Sequence, residues 1–383
     1  MGQNDYKEDL EYLYAALLAH PAVISGEKKK EELEALYFAQ ETTVCDYDSF
    51  IDAATKLTVS LRDGHTNLEI PYTSADLCLK LECRWDGANC EKLVLKKAYE
   101  DIPEHAGIMC VEGMPVAEIV MALAERIPHE NFYLVRSRMI RYPYQNYHMF
   151  SQMNLRRLFD DKGSYSITFA VDGKLIKREI PLVPYDGFLE FIPDDEFLTY
   201  EIIGDKAILH LNSCICNEAY KQTLRELAYI CDTQNINAFV LDLSENMGGD
   251  SSVIDEFIKY TRIKEYHRYE MADFSAGEAR VVTNRVDVVE NQPQNFLLPE
   301  KIYCKVSYNT FSSARTFAVT LKDNGIATIC GTPTGGKPNS YGMPKKMVMP
   351  KTKICFRVSR ACFLRPDADR DEEITLMPET TGL

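Results

Sequence analysis

From about Thr199 onward the sequence alternates short strand-like, mostly apolar runs with amphipathic stretches, and that pattern narrows the choice of fold more than any other feature. Ala207–Leu211, Ala238–Leu243, Lys301–Val306 and Ile326–Cys330 are the runs. They are too short for helices, and Ala238–Leu243, apolar but for Asp242, reads as a strand covered on both faces. Between them, Glu218–Cys231, Ser252–Ile263 and a segment from Ser312 to about Lys322 carry helical spacing, the last stopped by Asn324-Gly325. Strand–helix alternation implies a layered, mostly parallel sheet, and such sheets build their sites beyond the carboxyl ends of the strands. Two turns occupy such places, Gly248-Gly249 after the second run and Ser312-Ser313 after the third.

The preceding half has a different texture. Residues 5–19, Glu31–Gln40 and a segment beginning at Asp48 read as helices, the third ending at Gly64 and followed at once by His65. From about Leu77 short alternating strands take over. A turn and helix span Gly113–Ala124, and an aromatic-rich helical stretch over 131–160 contains Tyr142, Tyr144, Tyr147, Phe150 and Phe159. Asp172-Gly173 is a hairpin turn between two strands, and Pro184–Glu196 reads as a linker. With 383 residues the chain has room for two or three domains. The divisions expected are a helical subdomain over 1–75, a β-rich module over 76–195 and an α/β core over 196–383.

Composition excludes several classes. A net charge of −15 speaks against a nucleic-acid partner and against an anionic membrane surface. No apolar run approaches the ~20 residues of a spanning helix, and the first residues show no basic segment followed by an apolar one, so a cytoplasmic location is expected unless a signal segment was removed. Twelve cysteines stand without CxxC pairs, several inside apolar runs, which fits a reducing compartment. Neither a metal nor a cofactor is expected, because no His or Cys cluster has ligand spacing. Gly331–Lys337 fits the first seven positions of a phosphate-binding loop, but Pro338 replaces the Ser or Thr that should follow and no helix can start there.

Ser312 has two readings. It is an N-cap, the commonest use of serine at a helix start, or a nucleophile set among backbone N–H groups at the positive end of a helix dipole. A nucleophile needs a base, and His65 and Lys337 are both candidates. It also needs N–H donors for an oxyanion, which Gly248 or Gly249 and the N–H of Ser313 can supply.

Three blocks carry a resemblance. LRDGHTNLEI (61–70), VLDLSENMGGDSS (240–252) and SYNTFSSARTFAVTLKDNGIATICGTPTGGKPNSYG (307–342) resemble motifs of the C-terminal-processing and tricorn-like serine peptidases, a tail-specific protease family. Ser244–Met247 stands where that family often has an Arg-Asn-Asn-Pro-type run. The resemblance implies a crotonase- or Clp-protease-like layered α/β catalytic core, an N-terminal helical subdomain and a small β-rich PDZ-like or PDZ-replacing module. It implies Ser312 as nucleophile, with His65 as base in the tricorn-like branch or Lys337 in the Ser-Lys branch. The tail after Lys337 looks closer to the His-using branch. There a downstream carboxylate assists, which points to Asp371, Glu372 or Glu373, with Glu372 taken as the working choice. The substrate implied is a peptide or unfolded protein, and oligomerisation is left open. Two other classes stay in view: a non-catalytic peptide- or lipid-binding protein on the same fold, and an acyl-CoA enzyme of crotonase type.

Overall fold

The structure is a computed structural model that describes residues 1–141, 144–185 and 196–382. Tyr142 of the aromatic stretch and nearly all of the expected linker, 186–195, lie outside the described residues. The chain forms two compact units. One comprises Met1–Pro193, Phe274–Glu278 and Met343–Arg360, the other Asp194–Asp273, Ala279–Gly342 and Ala361–Leu383.

In the first unit, helices Gln3–Leu17, Lys30–Glu41 and Tyr47–Val59 bury one face each, with Leu10, Leu13, Leu17, Leu33, Phe50, Ile51, Ala54 and Leu57 fully inside. The third helix begins at Asp46, whose carboxylate accepts from the N–H of Ser49 at 2.9 Å. It ends at Val59, five residues before the glycine expected to stop it, and the left-handed residue that follows is Arg62, with φ 51°. The strand Asn67–Glu69 then pairs antiparallel with Cys355–Val358, which pairs in turn with Lys345–Val348. This late segment closes the helical core with Met349 and Phe356. Asp9 ties it down, accepting from the N–H groups of Lys351 and Thr352 at 2.9 and 2.6 Å.

The β-rich part of this unit has the strand order Leu77–Leu79, Lys174–Pro184, Ser164–Val171, Gly107–Val111, Lys92–Leu95, Cys83–Asp86. Asp172 and Gly173 both take positive φ, 47° and 75°, as a two-residue hairpin demands. The aromatic stretch is two short helices, Phe132–Met139 and Gln152–Leu158, rather than one long one. Asn131 and Ser151 cap them, each accepting from the N–H three residues on.

The second unit contains a five-stranded sheet in the order Thr328–Gly331, Lys301–Val306, Ala238–Asp242, Lys206–Leu211, Leu198–Ile203. The first four run parallel and the last is antiparallel. All four parallel strands had been anticipated from the sequence. Helices Glu218–Thr233, Ser252–Ile258 and Ser313–Asp323 connect them. Phe239, Leu241, Phe257, Phe317 and Leu321 are fully buried in the core between sheet and helices. An antiparallel sheet of Arg280–Thr283, Glu270–Asp273, Ala361–Leu364 and Ser340–Gly342 completes the unit.

Candidate active site

The strands Ala238–Asp242 and Lys301–Val306 are neighbours in register, so the turns that follow them emerge side by side. Polar residues lock those turns together. The Thr310 hydroxyl donates to Leu243 O at 2.7 Å, the Phe311 N–H to Asn246 O at 3.1 Å, and the Ser307 hydroxyl to Ser244 O. Asn309 Nδ2 reaches Glu245 Oε2 at 3.1 Å. These bonds tie the second turn to the first, and it delivers Ser312 to the N-terminus of the helix Ser313–Asp323.

Ser312 is held at φ 53°, ψ −129°, which a residue with a Cβ rarely adopts. Its side chain makes no capping hydrogen bond, so the N-cap reading gives way. The reason for the strain lies opposite. Gly248, at φ 107°, approaches so closely that a Cβ on it would stand 2.7 Å from Ser312 Cβ and 2.9 Å from Ser313 N. Gly249, at φ 136°, lies against Cys214 O, which a Cβ would meet at 2.3 Å. Only glycine fits either place. Asn246, fully buried, shapes this turn. Its Oδ1 accepts the Gly248 N–H at 2.8 Å and its Nδ2 donates to Leu211 O at 2.7 Å. The Ser313 hydroxyl donates to Gly249 O at 2.7 Å and lies 2.9 Å from the Ser251 hydroxyl. Of the three backbone donors expected for an oxyanion, the Gly248 N–H is thus committed to Asn246.

Lys337 is half-buried in the loop between Gly331 and the strand Ser340–Gly342. A strand, not a helix, follows it, which removes the phosphate-loop geometry. In the downstream carboxylate cluster, Asp371 receives Arg285 Nη1 at 2.7 Å and Asn339 Nδ2 at 2.9 Å. Burial opposes its charge, but these donors hold it below the usual carboxylate range. Glu373 accepts from Arg365 at 2.6 Å, while Arg365, fully buried, pairs with Asp323 at 2.6 Å. Glu372 is exposed.

His65 belongs to the first unit. Its side chain is 13% exposed, and its backbone N–H donates to Asp63 Oδ1 at 2.9 Å. Asp63 is fully buried. Its Oδ2 accepts from His20 Nε2 at 3.1 Å, Thr66 Oγ1 at 2.6 Å and Ser359 Oγ at 2.6 Å. Burial disfavours its charge, yet hydrogen bonds from His20 and His65 keep this carboxyl well below the usual range. Asp63, His65 and Glu130 offer ligand atoms within 4.8 Å of one another. The Asp63 oxygens, however, are occupied by proton donors, and a cation would have to displace these. The sequence displayed Asp63 and Asn246 within its motifs, but neither had been given a role. Spacing contained no hint that Asp63 would be met by residues 20 and 359.

Solved structures share this fold. The mature CPAF structure in complex with lactacystin superposes with a TM-score of 0.70 at 13% identity, over 99% of this chain and 94% of that one. The photosystem II D1 C-terminal processing protease gives 0.51 at 12% identity, over 98% and 93%. A putative peptidase from Parabacteroides merdae gives 0.51 at 11%, over 100% and 90%. The chain thus has the mixed α/β fold of these proteases. Residues 205–373 match the family model of peptidase family S41. The stretch that carries Ser312 therefore matches peptidase family S41, and this match together with the shared fold supports a serine peptidase of the tail-specific-protease-like kind.

Proposed function

We propose that the protein is an endopeptidase that forms an acyl-enzyme on Ser312, with His65 as general base. The observation that carries this is the backbone of Ser312. A non-glycine residue at φ 53°, pressed against Gly248 at the start of a helix and making no cap, is strained to present its hydroxyl. Neutral His65 takes the Oγ proton as the Oγ–C bond forms. The oxyanion is received by the N–H groups of Gly249 and Ser313, at the positive end of an 11-residue helix. His65 then protonates the leaving amine, and water resolves the ester. The substrate is a peptide or unfolded protein. The second unit is the crotonase-like catalytic layer, and the β-rich part of the first unit serves as the PDZ-like module. Lys337 is a rim residue in this reading.

The rival within the same chemistry is a Ser312–Lys337 dyad. His65→Ala and Lys337→Ala, assayed on an unstructured protein substrate such as casein, separate the two. Loss with the first and retention with the second supports His65. The reverse pattern assigns the base to Lys337.

A further inference from the structure

The expected helper of the base was a carboxylate some sixty residues after the nucleophile; a second carboxylate stands two residues before His65, within the same unit. Asp63 Oδ1 receives the His65 backbone N–H and lies 3.6 Å from His65 Nδ1, an ion-pair separation longer than a hydrogen bond, which must shorten when the ring becomes charged. Its other oxygen is engaged by three donors from three separate parts of the chain. One of them, His20, also fixes its own proton. The Ala22 N–H donates to His20 Nδ1 at 3.1 Å, so that nitrogen presents its lone pair and Nε2 carries the hydrogen toward Asp63. Ser359 is oriented by pairing of the late segment with Asn67–Glu69, and its N–H donates to Thr66 Oγ1 at 3.0 Å. These bonds orient the carboxylate so that Oδ1 lies on the side of the His65 ring.

We propose that Asp63 is the positioning carboxylate of the peptidase site, holding His65 with Nδ1–H toward Oδ1, so that Nε2 is the nitrogen that takes the Ser312 proton. This rests on the reading of Ser312 and His65 given above. When Ser312 Oγ bonds to the substrate carbonyl, its proton moves to Nε2 and the ring becomes an imidazolium. Asp63 stays ionised and stabilises that charge from inside a buried site, where Coulomb attraction is stronger than in water. Among the described residues, Glu130 and Arg138 also face the pair. Glu130 accepts the Gly64 N–H at 3.3 Å, and Arg138 is spent on the carbonyls of Gly64 and Pro128. The Glu69–Arg357 ion pair lies on the adjoining strands. Asp371 and Glu373 are engaged with arginines in their own unit.

The test measures the rate at which a fluorophosphonate labels the protein across pH, which needs no known substrate. Ser312→Ala and His65→Ala first establish the underlying reading, since labelling that survives either one overturns that reading and not merely the role of Asp63. Asp63→Asn is then expected to slow labelling by about 10²–10⁴-fold, with its acid limb displaced to lower pH. Glu130→Gln and Glu372→Gln are expected to change the rate less than tenfold. An Asp63→Asn rate within tenfold of wild type, or a larger loss in Glu372→Gln, overturns the proposal. Should Asp63→Asn fail to fold, histidine-selective ¹⁵N NMR of the wild-type protein decides, with His65 assigned from the His65→Gln spectrum. A neutral ring protonated on Nδ1 supports the proposal, and one protonated on Nε2 overturns it.

Discussion

Gly248→Ala isolates the contact that shapes the site. The added Cβ would stand 2.7 Å from Ser312 Cβ, 2.9 Å from Ser313 N and 3.1 Å from Phe311 O. Relaxed carbon contacts are about 3.5–4.0 Å, so the two turns must part by roughly 1 Å. Two terms add in stability. Placing Ala at φ 107° costs about 1–2 kcal/mol, and overpacking costs about 1–3 kcal/mol more. The sum of roughly 2–5 kcal/mol leaves a domain of ordinary stability folded at room temperature. Activity suffers more, because a misplacement of ~1 Å costs about 10²-fold, and pushing the Ser313 N–H out of line forfeits an oxyanion donor worth up to about 10²–10³-fold. The control is Gly204→Ala, at φ 61° with nothing within 4 Å of the new Cβ. It also has a positive φ, at a milder backbone cost than Gly248, and has no neighbour to displace. Urea unfolding and phosphonate labelling of both variants form the assay. Labelling of Gly248→Ala at the Gly204→Ala rate would refute the idea that close approach of the glycine turn sets the geometry of Ser312.

Three further outcomes are expected. Asn246→Ala removes the acceptor of the Gly248 N–H and strands the buried Leu211 carbonyl. It should cost about 1–3 kcal/mol in urea unfolding and slow labelling of Ser312. Asp323→Ala leaves Arg365 buried without its bidentate partner and should destabilise by about 3–5 kcal/mol, with a lowered melting temperature and no comparable loss in labelling rate measured at 10 °C. The carboxyl of Asp63 is held below its unfolded value, so its contribution to stability is full above about pH 4 and is lost as pH falls through the folded value. The stability gap between wild type and Asp63→Asn should therefore be widest near neutrality and narrow in acid, as measured by urea unfolding at several pH values; a gap that widens in acid would reverse the sign.

The parallel core was legible because strands covered on both faces must be continuously apolar, as Phe239–Leu241 and Ile302–Val306 nearly are. The hairpin at Asp172-Gly173 was legible because few residue pairs take two positive φ values. Glu265–His267, Arg280–Thr283 and Val288–Glu290 were not read, since most of their residues are exposed and show no buried periodicity. The return of 343–360 to the helical unit was hidden for another reason. Its pairing partner, Asn67–Glu69, lies almost the whole chain away, and no local propensity records a contact of that separation. The candidate site divides in the same way. The glycines and Ser312 announced themselves by residue type. The strain at Ser312 and the buried bonds of Asp63 arise from tertiary contacts and became visible only in the fold.

Mapping the adduct of a fluorophosphonate on the wild-type protein by peptide mass spectrometry is the most direct measurement of the central claim. A single phosphonylated serine at Ser312, absent from Ser312→Ala and from heat-denatured protein, is the result expected of a strained, activated nucleophile. An intact protein that takes up no label, or takes it up at another residue, would contradict it.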